Sequence, residues 1–299
     1  MRHRTAGKIT DNLWYLGREE SGVYLLEGRN GSMLINGGLA HILPDVLKQM
    51  KEFGIDPAKI TKILILHSHF DHIGVIPHFK RNWPAIEVYG SAETWRILQM
   101  QKAIDIANQF SKIVADKMGL GAALAGFDYA WRDDITGKTV AEGDRIDMGG
   151  TALNVLYTPG HTNCSITAYE PDRKALFASD GGGIPYRDGS FASANTNFTQ
   201  YMESLERMKP LAVDYLCADH YGYVTGEDAR GFIDLTFREG KKLRAMMEGI
   251  LKEKGNVDEA AKAMNVLFYQ ECPDYFISAD ILEGVFRQMM KFLEKNLQS

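Results

Sequence analysis

Apolar residues in the first third of the chain fall in short runs broken by glycine, a pattern of strands rather than helices. Residues 13–16, 22–26 and 32–35 are three such runs in succession. Ile63-Leu64-Ile65-Leu66 has no polar position at all, as expected of a strand buried on both faces. Residues 175–178 and a stretch near 138–140 read as further strands. Elsewhere the apolar spacing changes to three and four. Ile97, Met100, Ile104, Ala107, Phe110, Val114 and Met118 predict one amphipathic helix over 93–118, closed by Gly119 and a flexible join at 121–126. Leu235, Leu243, Met246, Met247 and Ile250 predict a helix over 229–253, and residues 257–266 a short one. Ile281, Val285, Met289, Phe292 and Leu293 predict another over 279–297, and Gly255-Asn256 and Cys272-Pro273-Asp274 are the breaks between them.

The 63–66 strand runs directly into His67-Ser68-His69-Phe70-Asp71-His72. Ligand-type side chains thus crowd the turn at a strand's C-terminal end, where α/β proteins place their chemistry. Imidazole suits zinc, copper, iron and nickel, and a carboxylate adds a hard oxygen donor. The same placement recurs. His161 lies in Thr158-Pro159-Gly160-His161-Thr162, Asp180 in Ser179-Asp180-Gly181-Gly182, and His220 in Ala218-Asp219-His220-Tyr221-Gly222. Each follows an apolar strand and sits in a Gly-containing turn, so the turns are expected along one edge of a sheet or of two packed sheets.

These motifs, in this order and rough spacing over about residues 7–220, resemble the metallo-β-lactamase fold superfamily. The resemblance implies an α/β fold, an αββα four-layer sandwich of two mixed sheets with helices on both outer faces. It implies that His67, His69 and His161 hold one metal, that Asp71, His72 and His220 hold a second, and that Asp180 bridges. Asp71 and Asp180 are the residues it makes catalytic. The implied cofactor is two divalent metal ions per protomer, zinc by default, with iron or manganese also suited to such donors. Two such ions can share a water and provide hydroxide for attack on a carbonyl. A thiolate, whose parent thiol ordinarily ionises near pH ~8.5, can then leave without a general acid.

Against that core, the helix at 93–118 reads as an insertion, about 91–135, in a metallo-β-lactamase fold domain of 1–228. Residues 229–299 read as a C-terminal helical extension. Insertion and extension together are expected to form a lid, with Phe110 and Met289 facing substrate. Both additions, with the segment 197–208, resemble the subfamily of the Pseudomonas quinolone signal response protein, a 2-aminobenzoylacetyl-CoA thioesterase. That implies a small-molecule acyl thioester or related ester as substrate, and a second role in partner binding. Two departures stand out. Asp180-Gly181-Gly182-Gly183-Ile184 lacks the acidic residue that follows the bridging aspartate there, so the acyl group is not carried over. Asn36-Gly37-Gly38 stands where most relatives carry Asp-x-Gly. The glyoxalase II group resembles the chain less, since its Cys-Gly-His-Glu-Tyr turn is here Ala218-Asp219-His220-Tyr221-Gly222.

Composition narrows the rest. The 299-residue chain is 45% hydrophobic, enough for a large core. A net charge of −5 argues against nucleic acid as a partner. No apolar run approaches the roughly 20 residues of a membrane span, and no apolar segment follows Met1-Arg2-His3-Arg4 as a signal peptide requires. Three scattered cysteines, Cys164, Cys217 and Cys272, suggest reduced thiols in a cytoplasm. Asp219 is a candidate to orient a ligand histidine, and Tyr221 and Tyr223 are candidates to hydrogen-bond substrate. His3, His41 and His78 read as surface or helix-end residues. The alternatives are a lactonase, a phosphodiesterase, or a signalling module with a slow residual hydrolase site. The last would bind a protein partner or a second copy through Met-rich helices.

Overall fold

The structure is a computed structural model and describes residues 1–297. After the short edge strand β1 (Arg2–His3), strands β2 (Gly7–Thr10), β3 (Leu13–Gly17), β4 (Gly22–Gly28) and β5 (Gly31–Ile35) form an antiparallel meander. Helix α1 (Leu43–Glu52) crosses to β6 (Ile60–Leu64), which pairs parallel to β5. Helix α2 (Ile76–Asn82) leads to β7 (Glu87–Ser91), parallel to β6. Helices α3 (Ala92–Leu98), α4 (Gln101–Lys117) and α5 (Gly121–Leu124) intervene before β8 (Lys138–Val140) completes a seven-stranded sheet, β2 to β8 in chain order.

The second sheet takes up β9 (Arg145–Asp147), β10 (Ala152–Tyr157), β11 (Ile166–Glu170) and β12 (Ala175–Phe177). A separate hairpin, β13 (Ile184–Tyr186) and β14 (Gly189–Phe191), and helix α6 (Phe198–Met208) follow. Strands β15 (Tyr215–Cys217) and β16 (Tyr223–Thr225) then complete the order β1-β16-β15-β12-β11-β10-β9. The chain closes with α7 (Glu227–Arg230), α8 (Phe232–Lys254), α9 (Val257–Glu271) and α10 (Ala279–Leu297).

Alternation along the strands builds the layers. On β4, Tyr24 and Leu26 point into the core between the sheets, where they meet Val155, Ala168 and Phe177. Val23 and Leu25, one residue out of phase, point into the outer core under α1 and α2 with Val46 and Phe79. A third core covers the other sheet with α6, α8, α9 and α10, including Phe198, Met247, Phe268 and Phe286. The result is the expected αββα sandwich with a C-terminal helical extension.

Several boundaries differ from the sequence reading. The single helix expected over 93–118 is two helices, because its two halves have different docking partners. Trp95 on α3 packs under β7 and donates its indole N–H to the Lys138 carbonyl (3.0 Å), whereas α4 lies along the turn at 70–72. The chain turns between them at Met100, which is extended (φ −83°, ψ 117°). The strand expected at 63–66 ends at Leu64: Ile65 N–H still donates to the Tyr89 carbonyl of β7 (2.8 Å), but Leu66 turns away. The Leu66 carbonyl instead accepts from Ile166 N–H in the other sheet (2.9 Å), stitching the two sheets together. The short helix expected at 257–266 continues to Glu271 and stops just before Pro273, which cannot extend it. Residues 298–299 of the expected extension lie outside the described residues.

The turn at 158–162 approaches α6 backbone to backbone. Gly160 has φ +127°, and a Cβ there would stand 2.2 Å from the Tyr201 amide nitrogen. Gly160→Ala is expected to cost about 1–3 kcal/mol from backbone strain alone, with added loss if α6 is displaced. Chemical denaturation showing an unchanged midpoint would contradict that packing.

Candidate metal centre

Four strand ends meet at one edge of the sandwich. The loop after β6 carries His67, His69, Asp71 and His72, and the loop after β10 carries His161. The tight turn after β12 carries Asp180, and the loop after β15 carries His220. Strands from both sheets therefore deliver these side chains to a common point, although they lie up to 153 residues apart. Three overlapping groups form: His67 with His69 and His161; His67 with His72 and Asp180; and Asp71 with His72 and His220. Within each group the donor atoms lie within 4.8 Å of one another. All are buried except His69, which is partly open to the cavity.

The contacts say which ring atoms face inward. His161 Nδ1 donates to the Ser193 carbonyl and His220 Nδ1 to the Glu20 carbonyl, both at 2.7 Å. His72 Nδ1 donates to Asp219 Oδ2 (3.0 Å), and His67 Nδ1 faces the Ser179 hydroxyl (3.2 Å). Each bond holds a proton on Nδ1 and turns Nε2 inward, where it is a lone pair whenever the ring is neutral. Those inward nitrogens crowd. His161 Nε2 is 3.0 Å from His69 Nδ1, and His220 Nε2 is 3.3 Å from His72 Nε2. Asp180 spans both ends, with Oδ2 3.3 Å from His72 Nε2 and 3.5 Å from His161 Nε2, and Oδ1 3.6 Å from His220 Nε2. Asp71 Oδ2 lies 3.5 Å from His220 Nε2. His67 Nε2 and Asp180 Oδ1 are buried and have no hydrogen-bond partner among the described residues. Orphaned, converging nitrogen and carboxylate donors suit a borderline divalent cation.

Charge follows the same geometry. Burial, with neighbouring imidazoles, drives His67 well below the usual histidine value and His69 down to about 3. Burial also lowers His161. It opposes protonation of His72 and His220 as well, but Asp180 and Asp71 beside them outweigh it and raise both. Burial opposes ionisation of Asp71 in turn, yet His72 and His220 hold it at about 2, and Asp180 is lowered similarly. The His67–His69–His161 group is therefore ready as neutral donors, while the other group draws cationic charge.

A cavity of about 550 Å³ opens from His69, Asp71, His161 and Asp180. Its walls include Ile97, Ile106 and Phe110 from α3 and α4, and Ile281, Leu282 and Val285 from α10. Phe110 packs on Phe70 in the turn that carries Asp71 and His72, with ring centroids 5.4 Å apart. Met289 does not face the cavity: it is fully buried among the helices, one step around α10 from Val285 and Gln288, which do. Tyr221 serves structure, since its hydroxyl accepts from Phe276 N–H (3.0 Å), and Tyr223 stacks on His3 at 4.6 Å. Cys164 and Cys217 are buried free thiols. His41 is not at the surface: it is 2% exposed and faces Glu20 Oε1 at 3.2 Å. Sequence reasoning missed Tyr275, which lines the cavity, and Phe276, which stacks on the His220 ring at 4.1 Å. It also missed Asn36 and Ser179 as partners of Asp219. Only the unusual Asn-Gly-Gly at 36–38 flagged any of these four.

Residues 16–220 match the profile of the metallo-beta-lactamase superfamily. The chain is 26% identical over 205 residues to an acyl-coenzyme A thioesterase of Gallus gallus, covering 66% of this chain and 70% of that protein. It is 29% identical over 182 residues to a hydroxyacylglutathione hydrolase of Thermosynechococcus vestitus, covering 59% of this chain. A hydroxyacylglutathione hydrolase of Legionella pneumophila is 25% identical over 121 residues, 40% of this chain. The chain spans only 54% and 33% of these two hydrolases' lengths, respectively. Among solved structures, a metallo-beta-lactamase family protein of Thermus thermophilus superposes with a TM-score of 0.67 at 18% identity. That superposition covers 97% of this chain and 95% of the other and so includes the helical extension.

Protons and metal should compete unequally at the two groups. Histidines with lowered pKa are already neutral near pH 7, so metal uptake by His67, His69 and His161 should release almost no protons. His72 and His220 are raised, so uptake at their group should release protons and weaken as pH falls. Calorimetric titration of the metal-stripped protein in two buffers of different ionisation enthalpy checks this; equal proton release at both steps would refute it.

Proposed function

The chain belongs to the metallo-beta-lactamase superfamily, and from that premise we propose that it is a dinuclear metal-dependent hydrolase of acyl thioesters or related esters with a partly apolar acyl group. One observation carries the reading: seven donors, all buried but His69, converge at the head of a cavity whose walls are largely apolar. His67, His69 and His161 would hold one ion and Asp71, His72 and His220 the other, with Asp180 lying between the two groups. Bound divalent ions, zinc by default, supply Lewis acidity and lower the pKa of water. Asp71 and Asp180, held ionised by the imidazoles beside them, are the carboxylates placed to accept and orient a proton of the nucleophile.

The cavity supplies the selectivity. Ile97, Ile106, Phe110, Ile281, Leu282 and Val285 bury the acyl group and exclude water, so that α4 and α10 act as one lid. Tyr275 also lines the cavity, and its hydroxyl has no hydrogen-bond partner among the described residues, so it can bond to substrate. No dedicated acid is needed for a thiolate leaving group. Relatives named for cleaving acyl-coenzyme A and hydroxyacylglutathione support a thiol-linked substrate. The helical additions suit the quinolone-signal-response type of thioesterase. No helix of the described residues is long and apolar enough to cross a membrane, and three free thiols suit a cytoplasmic enzyme. Exposed Met246 on α8 and Val266 and Leu267 on α9 are where a second copy or protein partner would sit.

Acyl-coenzyme A thioesters, lactones and phosphodiesters should be screened with protein reconstituted to two metal equivalents. Thioesters are expected to turn over fastest; turnover of phosphodiesters alone would overturn the assignment. Phe110→Ser and Val285→Ser should each lower kcat/KM for apolar acyl groups about tenfold or more, from about 1.5–3 kcal/mol of lost burial, while metal content stays at two. If both variants lose metal or unfold, these residues serve the core rather than the substrate.

A further inference from the structure

Beneath the ligand histidines lies a second polar cluster. Asp219 is 2% exposed, and three donors meet at its Oδ2. His72 Nδ1 donates at 3.0 Å, Asn36 Nδ2 at 2.5 Å, and the Ser179 hydroxyl donates as well. Ser179 Oγ in turn faces His67 Nδ1 at 3.2 Å and Asn36 Nδ2 at 3.2 Å. Asn36 is itself pinned, because its Oδ1 accepts from Leu66 N–H at 3.0 Å. Counting protons closes the network: Ser179 gives its only proton to Asp219 and so can only accept from His67. Both histidines are thereby held with the proton on Nδ1 and the lone pair of Nε2 turned inward.

Backbone conformation points to the same node. Asn36 (φ 61°) and Ser179 (φ 48°) are non-glycine residues in the left-handed region. Such conformations are unfavourable for residues with a Cβ and persist where the surroundings demand them. Here they aim two side chains, 143 residues apart in sequence, at one buried carboxylate.

We propose that Asp219, with Asn36 and Ser179, is a shared positioning unit that orients one histidine of each metal-binding group, His72 directly and His67 through Ser179. The proposal rests on the two-metal reading above. It predicts a coupling that a partner of His72 alone would not produce: loss of the Asp219 charge should weaken both metal-binding steps.

Cobalt(II) titration of the metal-stripped full chain, followed by visible absorption and by stoichiometry, provides the test. In Asp219→Asn, of nearly equal size, both steps should weaken about 10- to 100-fold, while circular dichroism shows the fold retained. Ser179→Ala removes the hydroxyl that faces His67 Nδ1 but leaves His72 Nδ1 its direct bond to Asp219, so it should weaken the step that uses His67 more than the other; it also serves if Asp219→Asn does not fold. Moving the carboxylate across the contact, in Asn36→Asp with Asp219→Asn, should recover both steps, because an acceptor again faces His72 Nδ1 and Ser179. A weakening confined to one step in Asp219→Asn, or a double variant no better than Asp219→Asn, overturns the unit while leaving the two-metal site intact. A native chain that takes up fewer than two equivalents removes the two-metal reading itself, and the unit with it.

Discussion

Seven nitrogen and oxygen donors must be held within a few ångströms of one another, largely away from water. Ring nitrogens of His69 and His161 stand 3.0 Å apart and those of His72 and His220 3.3 Å apart, and two carboxylates share the same space. Asp71 and Asp180 attract His72 and His220 but do nothing to place them, and burying such groups costs several kcal/mol each unless charge is balanced. The restraint comes from outside the cluster. Backbone carbonyls of Ser193 and Glu20 fix His161 and His220, and Asp219 fixes His72. Strand ends from two sheets supply the rigidity, since a strand's last residue cannot move without its ladder.

The same constraint explains where the helices sit. A polar cluster at an open sheet edge would be flooded by water, which screens every charge in it. Here the segment at 272–278 runs over that edge. Phe276 lies flat on His220, and Tyr221 accepts the Phe276 amide proton. Tyr186 and Arg187 from the hairpin both bond to Asp274, fastening the same segment from the other side. The C-terminal helices are thus tied to the edge that carries the donor cluster by polar contacts and a ring stack, and to one another by apolar contacts. α10 illustrates the division of labour. Phe286, Met289 and Met290 face the helical core, while Ile281, Val285 and Gln288 face the cavity. One amphipathic helix has two apolar faces with different tasks, and periodicity alone does not separate them.

Much of the site was legible along the chain because metal chemistry restricts residue type. Few sequences place three imidazoles and a carboxylate in six positions for any other purpose, and His161, Asp180 and His220 each announced themselves by following an apolar run into a Gly-containing turn. The strands at 13–16, 22–26 and 32–35 were equally plain, since burial on a pleated sheet imposes its own period. The helix expected over 93–118 was half right: its apolar spacing continues through Met100, but the two halves dock on different surfaces.

The sequence by itself therefore determined the layered fold and the donors, because both depend on local period and on side-chain chemistry. Only the tertiary structure decided which nitrogen of each histidine faces inward, which face of α10 meets the cavity, and that Asn36, Ser179 and His72 share one carboxylate oxygen of Asp219. Those facts depend on distances of about 3 Å between residues far apart in the chain, and a linear pattern carries no record of such contacts. They arise only when two sheets, each stable for its own local reasons, bring their strand ends to the same edge.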